Sequence, residues 1–140
     1  MIIYKYQKGE VINMTIAEVS KKYDLTQDTI RYYEKEGLIP TVPRTESGIR
    51  NFDEESCNWI EFIKCMRNAG LEIEVLKEYV KLFREGKSTV TKRKELLQKQ
   101  REKLLEKQKN INETIDRLNY KIKLYDDIEA GKRKDFMEKP

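Results

Sequence analysis

The sequence predicts a mainly α-helical chain in which a winged helix-turn-helix domain is followed by a long coiled-coil dimerisation helix. Three observations predict it. Two short helices with readable caps lie between Thr15 and Gly37, joined by a tight turn. A loop with Pro40 and Pro43 then leads to a Ser47-Gly48 turn and a β-prone run, Ile49-Arg50-Asn51-Phe52. Further on, Leu97, Leu104, Ile111, Leu118 and Tyr125 recur every seven residues.

Composition sets the frame for these elements. The 140 residues suffice for one small domain and an extension. With 39% charged and 38% hydrophobic residues, the core is modest and much of the chain is expected to be solvated helix. No apolar run reaches membrane-spanning length, and the first residues, MIIYKYQKGEVIN, lack a signal-peptide core and cleavage site. A cytoplasmic location without membrane contact is expected. Two cysteines and no histidine argue against a disulfide framework and against a zinc site, so no metal or cofactor is expected.

The net charge is +4, but its placement says more. Residues 14–52 hold six basic and six acidic side chains, 53–86 hold five and eight, and 87–140 hold sixteen and ten. Charge alone therefore does not single out a nucleic-acid-reading domain, and the case rests on where particular residues sit.

Residues 1–13 show no trusted period, and Met14 is followed directly by a helix start. One expectation is that translation begins at Met14, since Lys8-Gly9-Glu10-Val11 back-translates as AAA-GGA-GAG-GTA, a purine-rich ribosome-binding stretch; the alternative is an ordinary N-terminal arm. Thr15 and Glu18 form a capping box, and Ile16, Val19, Ser20 and Tyr23 give a helix over 15–23. Asp24-Leu25 makes the turn. Thr26 caps the next helix, Asp28 complements its dipole, Ile30 and Tyr33 face inward, and Gly37 with Leu38 ends it.

Placed in a major groove, this second helix would bring Thr26, Gln27, Asp28 and Thr29 nearest the base edges, with Arg31 and Tyr32 reaching bases or phosphates. The bland alternative is a plain helical hairpin whose Arg31 and Lys35 are solvated. The following loop weighs against it: a two-stranded flap beside a helix-turn-helix is a wing, and Arg44 and Arg50 on either side of its turn would straddle a phosphate backbone.

Asp53 caps a helix to about Asn68, on which Trp59, Phe62, Ile63 and Met66 form one apolar face, read as core. A further helix over about 72–85 presents Leu76, Tyr79, Val80 and Phe83, and Gly86 ends it. From 89 to 128 one long helix is expected, about 60 Å at 1.5 Å per residue. Its companion seam reads Arg101, Gln108, Ile115, Ile122, so the seam is apolar in its second half and leaky in its first. Such a helix must bury Leu97, Leu104, Ile111, Ile115, Leu118, Ile122 and Tyr125 on a partner, most simply a second copy. Its lysines are read as a solvated face. The division is thus an extension over 1–13, the winged domain over 14–86, the coiled coil over 87–128 and a disordered tail over 129–140.

The run TIAEVSKKYDLTQDTIRYYEKEGLIPTVPRTESGIRNF resembles the DNA-binding domain of the MerR family of bacterial transcription regulators. T-I-R-Y-Y-E-x-x-G-L-I followed by R-x-x-S-G-I-R-x-F carries the likeness, which continues to about residue 128. It implies an antiparallel coiled coil between subunits and binding to an inverted repeat in a promoter with an overlong spacer. The activated dimer would bend and untwist the spacer so that RNA polymerase meets aligned promoter elements. Arg31 and Tyr32 match recognition-helix contacts of the family, Arg44 and Arg50 match wing contacts, and Tyr33 matches a position used for packing or phosphate contact, here read as packing.

Metal-sensing members resemble one another in carrying cysteines near the dimer helix, and multidrug-sensing members carry a large C-terminal domain; neither pattern is found here. The segment W-I-E-F-I-K-C-M-R-N-A-G-L instead resembles the thiol-based branch that responds to reactive aldehydes and other electrophiles, which implies Cys65 as sensor thiol. Lys64 and Arg67 flank Cys65 with positive charge, whereas its place near a helix C-terminus sets the dipole against a negative sulfur. The alternative is a small core cysteine. Cys57, about 12 Å earlier on the same helix, is too distant for a bridge within it, so sensing would use an adduct on one thiol or a disulfide to another subunit.

Two other classes stand beside this reading. A coiled-coil scaffolding protein without sequence-specific DNA binding would account for 89–128 but not for the capped helix pair. An enzyme lacks its parts: histidine, a Gly-rich phosphate loop and paired carboxylates in an evident pocket.

Overall fold

The computed structural model describes residues 14–136. The segment 1–13, with the question of a start at Met14, lies outside the described residues, as do the last four positions. Two compact units divide the chain, one ending at Leu96 and the other beginning at Leu97.

The first unit is built from four helices whose ends are fixed by local chemistry. Helix α1, Ile16–Tyr23, starts with the complete Thr15/Glu18 capping box. The Thr15 amide donates to Glu18 Oε1 at 3.1 Å, and the Glu18 amide donates to Thr15 Oγ1 at 3.2 Å. Asp24 turns the chain at φ 52°, a left-handed conformation that Asp tolerates better than most residues. Helix α2, Gln27–Lys35, follows with Thr26 as its cap. It ends in a Schellman turn: Leu38 N–H reaches the Tyr33 carbonyl at 2.8 Å and Gly37 N–H the Glu34 carbonyl at 3.2 Å, with Gly37 at φ +73°. Leu38, fully buried, supplies the apolar contact that usually accompanies this turn.

Helix α3, Glu54–Asn68, is capped by Asp53, which accepts the Ser56 amide at 2.9 Å. Helix α4, Ile73–Glu85, leads through a 3-10 turn, Lys87–Thr89, into helix α5, Val90–Glu129. Helix α1 packs on α2 and α3. Val19, Ile30, Leu38, Ile39, Phe52, Ile60, Ile63, Leu76 and Val80 form the core, each nearly or wholly removed from solvent.

Two expectations change in this unit. The expected strand over 49–52 is reduced to two isolated antiparallel bridges, Arg44 with Arg50 and Met14 with Phe52. Pro43 offers no amide, so the flap pairs through few bonds, among them Thr45 N–H to the Ile49 carbonyl at 2.8 Å and Asn51 N–H to the Pro43 carbonyl at 2.7 Å. On α3, the fully buried positions are Cys57, Ile60 and Ile63, whereas Trp59, Phe62 and Met66 are half-buried. The helix has two apolar sides, and the expected face is in part the second of them. There Trp59 meets Phe83 of α4 edge-on at 5.0 Å between centroids, and Phe62 lies 5.6 Å from Tyr79.

The second unit holds most of α5. Ile111, Ile115, Leu118, Ile122 and Tyr125 are exposed there, and Leu97 and Leu104 half-exposed. In the described part of the tail, 130–136, the chain forms a turn and one aromatic contact. Gly131 closes α5 with the same type of turn as Gly37, and Phe136 lies edge-on to Tyr125 at 5.5 Å with the Lys121 ammonium 4.7 Å from its ring. No described helix is long and apolar enough to cross a membrane.

Candidate nucleic-acid interface

Helix α2 has two unlike sides. Ile30 and Tyr33 are buried, and burial pushes the Tyr33 phenol above its ordinary value, with the Arg67 charge opposing. Tyr33 therefore packs, as expected from sequence. The other side is polar and open: Asp28, Arg31 and Tyr32 are exposed, and Gln27 and Thr29 half-buried. Thr26 accepts the Thr29 amide at 3.1 Å, and the two hydroxyls meet at 2.7 Å, so both are held by the helix start. Arg31 is laid along the helix by two neighbours: it donates to Asp28 Oδ1 at 3.0 Å and to Gln27 Oε1 at 3.2 Å. Exposed pairs of this kind contribute little to stability, about 0.5 kcal/mol, so a better acceptor can take the guanidinium.

The wing turn is held by Thr45, whose hydroxyl accepts the Ile49 amide at 3.2 Å while its carbonyl accepts the Gly48 amide at 2.9 Å. Gly48 sits at φ +84°, which L-residues rarely adopt. Arg44 spans the turn, donating to the Gly48 carbonyl at 2.8 Å, and is exposed.

Arg50 is placed differently. Its Nε donates to Glu34 Oε1 at 2.8 Å, and the two side chains are only 23% and 11% exposed. The other oxygen of Glu34 accepts the Val42 amide. One carboxylate of α2 thus binds both flanks of the wing. Sequence spacing gives no signal for this, because residues 34, 42 and 50 come together only through the tertiary fold. The same holds for two ties between α4 and the α2 region: Lys77 reaches Glu36 at 3.2 Å, and Arg84 reaches the Ile39 carbonyl at 3.3 Å.

The two thiols have opposite environments. Cys57 is buried in the core, and desolvation pushes its thiol above the ordinary value despite a hydrogen bond from Tyr23. Cys65 is exposed on the last turns of α3. The cations that flank it in sequence are engaged with carbonyl groups, Lys64 with Tyr23 and Arg67 with Leu71. Among the described residues, no three His, Cys, Asp or Glu side chains are grouped to hold a metal ion.

Comparison with known proteins places this arrangement. A family model described as MerR HTH family regulatory protein matches residues 14–82, and one described as MerR, DNA binding matches 58–120. The HTH-type transcriptional regulator AdhR of Bacillus subtilis (strain 168) is 60% identical over 93 residues, 66% of each chain. A crystal structure assigned to a MerR family transcriptional regulator from Listeria monocytogenes is similar with a TM-score of 0.79 and 50% identity, covering 81% of this chain and 86% of that one. HiNmlR, described as a MerR family regulator lacking the sensor domain and bound to promoter DNA, is similar with a TM-score of 0.77 and 28% identity over 85% and 94% of the two chains.

Proposed function

This chain belongs to the MerR family of DNA-binding transcriptional regulators, and on that premise we propose that it acts in the cytoplasm as a homodimer that distorts promoter spacer DNA for RNA polymerase, switched by an electrophile on Cys65. The observation that carries the DNA reading is the open polar side of α2, with Gln27, Asp28, Arg31 and Tyr32, on a helix whose other side is locked in the core, next to a wing that presents Arg44. Arg31 is the base or phosphate contact, the Thr26 and Thr29 hydroxyls and Gln27 lie nearest the groove, and Arg44 takes a phosphate. The HiNmlR complex with promoter DNA supports this use of the fold.

The dimer reading rests on the exposed seam of α5, from Leu97 and Leu104 to Tyr125. Charge supports the antiparallel sense. Residues 90–109 hold eight basic and three acidic side chains, and 110–129 hold three and five. Two such helices side by side in parallel would bring the basic halves together; antiparallel, each basic half faces an acidic one.

The switch reading rests on the contrast between an exposed Cys65 and a buried Cys57, together with the likeness of the Cys65 segment to the thiol-based branch. The sulfur adds to an aldehyde carbonyl carbon, and the proton passes to its oxygen, giving a hemithioacetal. The adduct crowds the end of α3 beside Arg67, which holds the Leu71 carbonyl at the turn into α4. Helix α4 is in turn tied to the α2 region through Lys77 and Arg84. A shift of α4 would so be felt at the DNA-facing helix.

Footprinting on the DNA upstream of the gene, with and without a reactive aldehyde, tests the reading. Protection of an inverted repeat between promoter elements, with central hypersensitivity on adding aldehyde, is expected. Cys65→Ala is expected to keep protection and lose the aldehyde response; a retained response ends the sensor assignment. Absence of protection at every salt concentration would instead favour a coiled-coil scaffolding role.

A further inference from the structure

We infer that Glu34 is a positioning residue for DNA binding, and that Arg50 serves as its strut rather than as a phosphate contact. Glu34 leaves the buried end of α2 and its carboxylate is divided: Oε1 accepts Arg50 Nε at 2.8 Å from the outgoing flank of the wing, and Oε2 accepts the Val42 amide from the incoming flank. A hydrogen-bonded ion pair at this depth is directional, and bonds from both flanks set the wing at one angle to α2. Few backbone bonds compete with it, since the two flanks pair with each other through the Arg44–Arg50 bridge and the turn, and the Met14–Phe52 bridge holds only the root of the outgoing flank. The exposed Arg44 can therefore meet a phosphate only while Glu34 holds the wing in register with the groove-reading side of α2.

The inference rests on the DNA-binding reading, and its signature runs against simple electrostatics. Glu34→Gln removes a negative charge from the DNA-facing region, so a merely electrostatic account has it bind DNA more tightly. The clamp account has it bind about 10- to 100-fold more weakly at physiological salt. It also lowers the dependence of log K on log salt by about 2 for a dimer, because one Arg44 phosphate contact disengages in each subunit.

The test measures operator affinity of the full chain across a salt series for wild type, Glu34→Gln, Arg50→Gln and Arg50→Lys, each with its melting curve. Both glutamine variants are expected to weaken binding and flatten the salt slope although they change charge in opposite directions, and Arg50→Lys is expected to restore most of the slope. If Glu34→Gln binds as tightly as wild type or tighter while Arg50→Gln loses one phosphate per subunit, Arg50 is a direct contact and the inference is overturned. A melting point lowered in Glu34→Gln with an unchanged slope also overturns it, leaving a purely stabilising pair. Should a glutamine variant not fold at the assay temperature, Glu34→Asp, which keeps the charge but shortens the reach to both flanks, decides the matter: a slope flattened like that of Arg44→Gln supports the clamp, and a wild-type slope refutes it. Wild type failing to protect any operator is a different outcome, which removes the DNA-binding reading itself.

Discussion

The first unit and α5 solve the same problem in opposite ways. The first unit buries Phe52, Ile60, Ile63 and Leu76 within itself, ties α2 to the wing with Glu34–Arg50 and ties α4 to the end of α2 with Lys77–Glu36. Helix α5 leaves Ile111, Ile115, Leu118 and Ile122 about half exposed or more. Most helical stability in proteins comes from packing an apolar face rather than from propensity, and α5 carries such a face unpaired along its 40 residues. The difference teaches that the first unit is complete as a fold, whereas the second leaves an apolar seam open, as the proposed dimer requires.

The largest effect is expected from a charge placed in that interface. Leu118→Lys should convert the dimer to monomer at micromolar concentration and lower the helix content, since each dimer loses the contact twice, about 2–5 kcal/mol per site; sedimentation equilibrium reads the mass. A dimer of unchanged affinity would break the comparison.

Phe52→Ala should cost the first unit about 3–5 kcal/mol while leaving self-association of α5 in place, read by denaturant unfolding followed at Trp59 alongside the sedimentation mass. Loss of both together would show that the two regions do not stand apart. Arg31→Ala is expected to weaken operator binding by about 1–3 kcal/mol with no change in melting temperature, because its partners Asp28 and Gln27 are on the surface. A lowered melting temperature would move Arg31 from the reading side to the structural side.

The smallest effect is expected from pH. Burial pushes the pKa of Cys57 and of Tyr33 above their ordinary values of 9.0 and 10.0, so on titration the unfolded chain releases these protons first. Their contribution is fully present below pH 9 and is lost as pH rises through the elevated folded values. Stability of the first unit should therefore fall above about pH 9, and Cys57→Ala should flatten the beginning of that fall. Neither group belongs to α5, so a fall carried by the seam instead would contradict this assignment.

Much of this was legible in sequence where one turn of chain decides the outcome. The caps Thr15, Thr26 and Asp53 and the stop at Gly37 are local events within three or four residues, and helices begin and end there within a residue. The seven-residue repeat likewise marked α5. What sequence could not supply is what tertiary packing decides. Arg50 looks like any wing cation until Glu34 is brought to it across sixteen positions. Cys57 and Cys65 share a helix, and Cys57 is the one that packs beside Tyr23 of α1. Phe136 lies in a polar run without period, and a glycine turn brings it onto Tyr125.

The bridge between Met14 and Phe52 bears on how the protein is handled. Both backbone bonds of that pair are 2.9 Å, and Phe52 is fully buried two residues after Arg50. The chain ahead of Met14, and any affinity tag joined to it, is thus tethered at the root of the wing, where in the proposed DNA-bound form a string of histidines or a fused domain is expected to compete for space with the operator. For binding measurements the tag belongs at the other terminus, or should be cleaved, and a difference in retention between the two tagged forms would itself report how close the root of the wing lies to bound DNA.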